Sequence, residues 1–474
     1  FDAALKIKGL SDFERANVFY IKGLLLSEKY DIQASLDILL SLAESVYLEG
    51  DHDKAFGHLD KLLTQEINGW SQVRIKRKLM DFYNYQGNCA KVLDLGFEIL
   101  GMLEYSCRID NLDLDLAEAR LLFSDQRIRS IKNAKTISDE RWLMILETLV
   151  IMLPSAIIET ESLFIIVLLK IGMLSIKHGY SKYASLGYIA CSFIFNSLFK
   201  ETQKSKLLRD YAMALVEQEP DLKVKSMTYS LAGTFVEHWF TTLFDSKKAL
   251  IKAIDLANRD GEFLYSAYSL VARVNVEYVL GTRLNDIRGI IESYMENGRH
   301  TVEDVNDYMN YMNHIHIEYL TKGELSEESE GIRDKFRTFE ITSSRRYILK
   351  VYEMQHLFLE GNFLEAYERA EIVSKRIDIL MGYVLYMDVL FFTTLVRIQC
   401  VDLIDTKDKS QNMSAIDENM IIIEYWLSHS QEDHKMRWLI LKGCYESKIK
   451  QNKHFEAYFN EAIGLAEDKQ SLLI

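Results

Sequence analysis

Proline is nearly absent. Pro154 and Pro220 are the two in 474 residues, against an average usage of roughly 5%. Proline removes a backbone donor and clashes with the preceding turn of a helix, so its scarcity points to an almost wholly helical chain. Glycine is also low, at 22. Basic charge is in deficit: 56 Lys and Arg face 70 Asp and Glu, a net charge of −14. That speaks against a nucleic-acid surface, whose usual footprint is a basic stripe, and suits an ordinary cytoplasmic protein. The five cysteines (Cys89, Cys107, Cys191, Cys400 and Cys444) are scattered, with no C-x-x-C among them. Such spacing argues against a disulfide framework or a zinc site. Their apolar contexts read as buried free thiols in a reducing compartment.

Long hydrophobic runs and common catalytic signatures are missing too. The longest uncharged run, Tyr183–Phe199, falls short of the roughly 20 apolar residues of a spanning helix, and Ser192, Asn196 and Ser197 interrupt it. It reads as a buried helix, with no membrane insertion. No signal peptide is visible. The first residue is Phe1, so the segment reads as part of a longer chain. There is no G-x-x-x-x-G-K-[ST], no G-x-G-x-x-G after a strand, no G-x-S-x-G and no H-E-x-x-H, hence no ATP-binding or hydrolytic centre of those types. No cofactor is called for.

A recurring phrase is present instead. Leu36–Leu48 carries apolar residues at helical spacing. Gly50 then ends that helix, glycine being suited to the left-handed C-terminal position. Asp51 starts the next by offering its carboxylate to orphan N–H groups, and the small Ala55 lets the second helix lie close to the first. The phrase returns at Gly87-Asn88, with Val92 in the alanine place, and at Gly361-Asn362 with Ala366. A worn copy has Asn452 for the glycine and keeps Ala457; the right-hand half recurs around Ala249, before a break at Asp260-Gly261. Gly50 to Gly87 is 37 positions, near the roughly 34 of a tetratricopeptide repeat. The fold class expected is therefore all-α, a tetratricopeptide-like α-solenoid of antiparallel hairpins, about a dozen in all. Two polar stretches, Leu320–Phe336 and Ile404–Met420, read as loops. The first suggests a division into an N-terminal array at 1–322, a polar loop at 323–336 and C-terminal repeats at 337–474.

Candidate site residues are few, and each has a structural reading beside the functional one. His314 and Glu318 share a helical face and could form a metal pair; a surface His–Glu contact is the plainer reading, and no metal site is expected. His316 points to a different face. His238 beside Trp239 offers a titratable group on an aromatic platform, or a satisfied histidine beside a core anchor. Tyr265, Tyr268 and Ala272 lie on one face, as packing or as a ligand cage. The acidic run Glu324, Glu327, Glu328 and Glu330 reads as a solvated loop. The basic cluster Arg129–Lys135 is too small for nucleic acid.

The order of several stretches carries a resemblance. LLKIGMLSIKHGYSKYASLGYIACSFIF (from Leu168) sets His178-Gly179 before a helix of small residues. SMTYSLAGTFVEHWF follows, with Gly233, His238 and Trp239, then ALIKAIDLANRDGEFLYSAYSL, and near the end the stretch from Ile421 to Glu467. This order resembles the helical repeat region of very large signalling proteins. Those carry a serine/threonine kinase-like domain, an AAA/STAND ATPase, such a region, a GAF domain and a histidine kinase or other output. Phe240-Thr241-Thr242 stands where the family often has a proline. The resemblance implies no catalytic residue here. It implies a non-catalytic regulatory module that couples an ATPase or kinase-like switch to an output domain, with a protein, peptide, small effector or another domain of the same polypeptide as its partner. The alternatives are a free-standing adaptor that binds a peptide or small effector in a concave groove, and a helical-toroid enzyme, which would need acidic and histidine residues converging on a central cavity.

Overall fold

The structure is a computed structural model that describes residues 2–8, 12–29, 36–64, 69–107, 111–297, 305–337, 344–380, 382–428 and 431–468. Among them the chain is all-α; extended backbone pairs only at an isolated bridge between Thr136 and Tyr180. The residues form two compact units. Among the described residues the first comprises those up to Cys191 and Asn258–Glu262, and the second the remainder. The stretch 323–336 lies inside the second unit.

The first unit begins with α1 (Asp2–Lys8), α2 (Phe13–Lys29), α3 (Leu36–Glu49), α4 (His52–Leu63), α5 (Gly69–Tyr85) and α6 (Cys89–Met102). It continues with α7 (Leu112–Leu122), α8 (Asp125–Ser130), α9 (Glu140–Glu159) and α10 (Glu161–His178), and α11 (Ala184–Ser197) begins in it. Each of α1 to α6 packs on the next, and α3 also packs on α5. The corner at Gly50 works by local chemistry. Gly50 has φ +106°, its N–H reaches the Tyr47 carbonyl at 3.0 Å, and Asp51 accepts from the Lys54 N–H at 3.3 Å. Asn88 repeats the cap on Lys91 at 3.3 Å. Ala55 and Val92 are fully buried, as a close helix crossing requires. Tyr47 fills the space between hairpins, stacked on Phe82 at 4.3 Å and on His52 at 4.4 Å.

By length and composition α9 is able to cross a membrane, but 61% of its apolar window is buried, and it packs against α5, α6 and α10. Pro154 sits inside it and leaves the Val150 carbonyl without its usual helical partner. Helices α10 and α11 cross at Gly172 and Gly187, so close that a Cβ on Gly187 would lie 3.0 Å from the Gly172 Cα.

The second unit holds α12 (Thr202–Gln218), α13 (Leu222–Leu231), a π-helical turn at Ala232–Val236, α14 (Glu237–Phe240), α15 (Leu243–Asp260), α16 (Phe263–Leu280) and α17 (Leu284–Asn297). Then come α18 (Val305–Lys322), α19 (Glu327–Arg337), α20 (Ser344–Leu359), α21 (Phe363–Ser374), α22 (Leu385–Cys400), α23 (Thr406–Leu427), α24 (Gln431–Lys448) and α25 (Glu456–Asp468). From α16 to α25 each helix packs on the next along the chain, and α16, α18, α20, α22 and α24 pack in series on one another. Helix α16 also reaches α22.

Several sequence expectations need correction. The polar stretch 323–336 is helical from Glu327. Ser326 caps it, accepting the Ser329 N–H at 3.3 Å. Acidic residues fill its first turn and Lys335 and Arg337 its last, the arrangement the helix dipole favours. Ile404–Met420 is mostly the start of α23, whose narrow buried stripe is Asn412, Ile416, Met420, Ile423 and Trp426. Asn362 makes no side-chain cap and donates instead to Glu360 at 2.9 Å, although Gly361 keeps φ +83° and Ala366 is fully buried. In the worn copy Gln451 takes the left-handed position at φ +52°, and Ala457 is exposed. Cys191 and Cys400 are buried, whereas Cys89, Cys107 and Cys444 are half-buried; none is in a disulfide.

Two glycine substitutions separate packing from helix propensity. A Cβ on Gly172 would stand 2.9 Å from the Gly187 carbonyl, a backbone atom that cannot swing away, and 2.2 Å from Cys191 Sγ. Gly172→Ala should therefore lower stability by about 1–3 kcal/mol despite alanine's better propensity. On α4, where nothing lies within 4 Å of a Gly57 Cβ, Gly57→Ala should raise stability by up to about 1 kcal/mol. Urea midpoints of the two variants check both signs.

Candidate functional site: an aromatic and histidine recess

The π-helical turn re-aims the chain just before His238. Its defining bond runs from the Glu237 N–H to the Ala232 carbonyl, one residue longer than an α-helical bond, and such insertions gather at functional sites. Gly233 makes the turn possible, because a Cβ there would meet Leu250 Cγ at 2.6 Å and the Ser246 carbonyl at 2.9 Å. Arg209 on α12 grips Glu237 with two bonds, Nε to Oε1 at 3.1 Å and Nη2 to Oε2 at 2.5 Å. Thr241 Oγ1 donates to the Glu237 carbonyl at 2.8 Å. The short helix α14 is thereby fixed at both ends.

His238 and Trp239 on α14 meet Trp426 from α23. The Trp239 and Trp426 ring centres are 3.9 Å apart, and His238 lies 6.4 Å from Trp426 with the planes 25° apart. His434 of α24 stands edge-on to Trp426 at 5.7 Å, and Tyr386 stacks on it at 5.8 Å. His238, Trp239, Trp426 and His434, together with Asn196, Thr202 and Tyr425, line a recess. It has about 10 Å³ of room for the centre of a water-sized sphere, enough for one water molecule. Among the described residues that line it none is Asp, Glu, Lys or Arg.

His238 is 2% exposed. Burial pushes its pKa down to about 3, with the Gly382 backbone opposing weakly, so the ring is neutral near pH 7. Neither ring nitrogen has a partner of good hydrogen-bond geometry, nor has the indole N–H of Trp239. Buried polar groups are ordinarily satisfied.

A second polar cluster sits in the core of the same unit. Asp388 on α22, 1% exposed, accepts from Gln355 Nε2 at 2.7 Å and lies 3.5 Å from Arg437 Nη2. Arg437 also donates to the Val279 carbonyl at 3.0 Å, tying α24 to the end of α16. Burial pushes the Asp388 carboxyl up, opposed by Arg437 and Gln355. His316 Nδ1 and His356 Nε2 share a hydrogen bond at 3.0 Å, and His316 stacks flat on Tyr352 at 3.9 Å. Tyr352 donates to Asn313 at 2.7 Å. Acid, histidine and arginine do converge, but largely on one another. Among the described residues no group of three or more His, Cys, Asp or Glu is arranged for a metal.

The other expected positions fall elsewhere. His178 stacks on Trp142 at 3.9 Å, and burial lowers its pKa. Gly179 has φ +111°, and a Cβ there would strike the Lys135 carbonyl at 2.1 Å; the pair ends α10 beside the Thr136–Tyr180 bridge. Tyr265 is buried and Tyr268 half-buried, their rings edge-on at 6.1 Å. Glu318 is 3% exposed, not a surface group; it accepts from Lys322 at 2.8 Å and from Ser329. The residues that sequence reasoning missed are Trp426, His434, Asp388, Gln355, His356 and Arg437. One signal was available: Asp388 is a lone acid within the apolar run LYMDVLFF, and such a charge needs a partner.

Two measurements test these clusters. His238, His316 and His356 are all held below the ordinary value of 6.5, chiefly by burial, so the unfolded chain binds protons that the folded chain refuses. Stability is therefore fully present above pH 6.5 and is lost as pH falls below it, toward about 3 for His238. Denaturant titrations across that window should show a slope shallower by about 1.4 kcal/mol per pH unit in His238→Phe. Arg437→Met, which strands the Asp388 carboxylate in the core, should cost about 3–5 kcal/mol at pH 7, read from the urea midpoint.

A scan against protein-family models matches none, and no curated protein matches the chain.

Proposed function

We propose that this chain is a tetratricopeptide-like solenoid that regulates by contact, and that its partner engages the recess formed by His238, Trp239 and Trp426. The observation that carries this reading is the gathering of Trp239 and Trp426, ring centres 3.9 Å apart, with His238 and His434 around one small recess. Trp and Tyr, with their large rings and polar tips, are the residues that dominate binding interfaces. Support for the solenoid comes from the runs α1 to α6 and α16 to α25, within which consecutive helices pack on one another, the pattern of arrays whose units cannot bury their apolar faces alone. The resemblance to the repeat region of large signalling proteins supports a module that sits between a nucleotide-dependent switch and an output domain of one cytoplasmic polypeptide. A free-standing adaptor would use the same recess and differ only in what flanks it.

The test uses the complete polypeptide that contains this segment. Output activity is measured with the nucleotide switch in each of its states, for the natural protein, a deletion of this segment and Trp239→Ala. Deletion should abolish the dependence of output on nucleotide, and Trp239→Ala should weaken it about tenfold or more, the scale of an interface hot spot. Output that follows nucleotide equally well in all three proteins would end the proposal.

A further inference from the structure

Independently of the recess, we infer that the surface segment from Asp125 to Thr136, in the first unit, is a docking ledge for an acidic peptide segment of a partner protein. Arg127, Arg129, Lys132 and Lys135 are all exposed there, within nine positions, and Asp125 is the one acid between Ser124 and Ile137. In a chain of net charge −14, four cations gathered with a single acid make a local field of the opposite sign. Two cations of α10 are already committed, Lys170 to Asp115 and Lys177 to Glu118. None of the four on the ledge has an ion pair or a side-chain hydrogen bond among the described residues. The ledge is held from beneath. Ile128 is fully buried, and Ile131 and Ile137 nearly so. Ser124 caps α8 by accepting the Arg127 N–H at 3.4 Å. Beyond the 3₁₀ turn at Ile131–Asn133, the Tyr180 N–H reaches the Lys135 carbonyl at 2.7 Å and the Ile137 N–H reaches the Tyr180 carbonyl at 2.8 Å. The three-residue spacing that turns Ile128 and Ile131 inward also sets Arg129 and Lys132 side by side. Like charges so placed repel, and an anionic partner relieves the repulsion. A backbone fixed beforehand lowers the ordering cost of binding.

Charge and size select a peptide among the anionic partners. A guanidinium takes a carboxylate through two parallel bonds, and the ledge offers two such forks. A nucleic acid is engaged through about six to ten phosphates, more than four cations answer. A flat anionic bilayer would also meet Asp125, Asp139 and Glu140, all exposed. Between Ser124 and Ile137 no large apolar side chain is exposed, so nothing there enters the lipid. A narrow acidic segment touches the ledge and avoids its acidic neighbours.

The experiment follows the fluorescence anisotropy of fluorescein-labelled octa-glutamate as the intact chain is added. A single-stranded octanucleotide and vesicles of equal parts phosphatidylserine and phosphatidylcholine serve as competitors. Octa-glutamate should bind saturably at micromolar concentration and weaken at least about threefold between about 50 mM and about 200 mM salt. Arg129→Glu with Lys132→Glu should weaken it about tenfold or more, two attractions having become two repulsions. Lys54→Glu with Lys61→Glu makes the same change of charge at exposed positions on α4, and should weaken it less than about twofold. Equal losses in the two double variants would mean that overall charge alone draws the peptide, and the inference falls. It falls also if octa-glutamate shows no saturable binding. Tighter binding of the octanucleotide or the vesicles would overturn the choice of an acidic peptide. None of these outcomes bears on the recess, whose residues belong to the second unit.

Discussion

Apolar burial shared between successive helices is the constraint on which the rest of the molecule depends. The α3–α4 hairpin does not close its core alone. The α3–α4 hairpin buries Leu40, Val46, Tyr47 and Leu59, yet Tyr47 rests on Phe82 of the following hairpin and its hydroxyl donates to the Phe82 carbonyl. Burial of this kind is worth roughly 1.5–3 kcal/mol for each large side chain, and much of it exists only once the neighbour is in place. Small residues at Ala55, Ala366, Gly172 and Gly187 set how near the helices come, and so how well the large ones interlock.

Against that background the two polar clusters are costly exceptions, and they differ in kind. Around Asp388 most groups answer one another, so the cluster is tightly specified: removal of one member leaves a charge stranded. Around His238 the groups do not answer one another. The imidazole is held neutral and the indole lacks an acceptor, while Arg209, Gly233 and the π-helical turn hold α14 in place.

The corners were legible in the sequence because their chemistry is local. Gly50-Asp51 and Gly87-Asn88 each contain the left-handed residue and the cap, and nothing distant is needed to read them. His238 and Trp239 could be singled out for their residue types and their neighbourhood. What escaped was whatever depends on partners far along the chain. Trp426 and His434 are almost 200 positions from His238, and no periodicity links them. Arg437, Gln355 and Asp388 come from three different helices. The helices at Glu327 and Thr406 were hidden for another reason: the first is held by its Ser326 cap and charge order, and the second buries only a narrow stripe within a mostly polar surface.

The bond from Arg437 to the Val279 carbonyl spans 158 positions of chain. At a synthesis rate of about 5–20 residues per second, the end of α16 emerges roughly 8–30 seconds before its guanidinium partner exists. Through that interval the growing chain carries an unanswered acceptor, joined for its last part by Asp388 without its arginine, at the future heart of the second unit. That unit is thus finished late and from its C-terminal side, and a ribosome stalled before α24 leaves a nascent protein with an open polar seam.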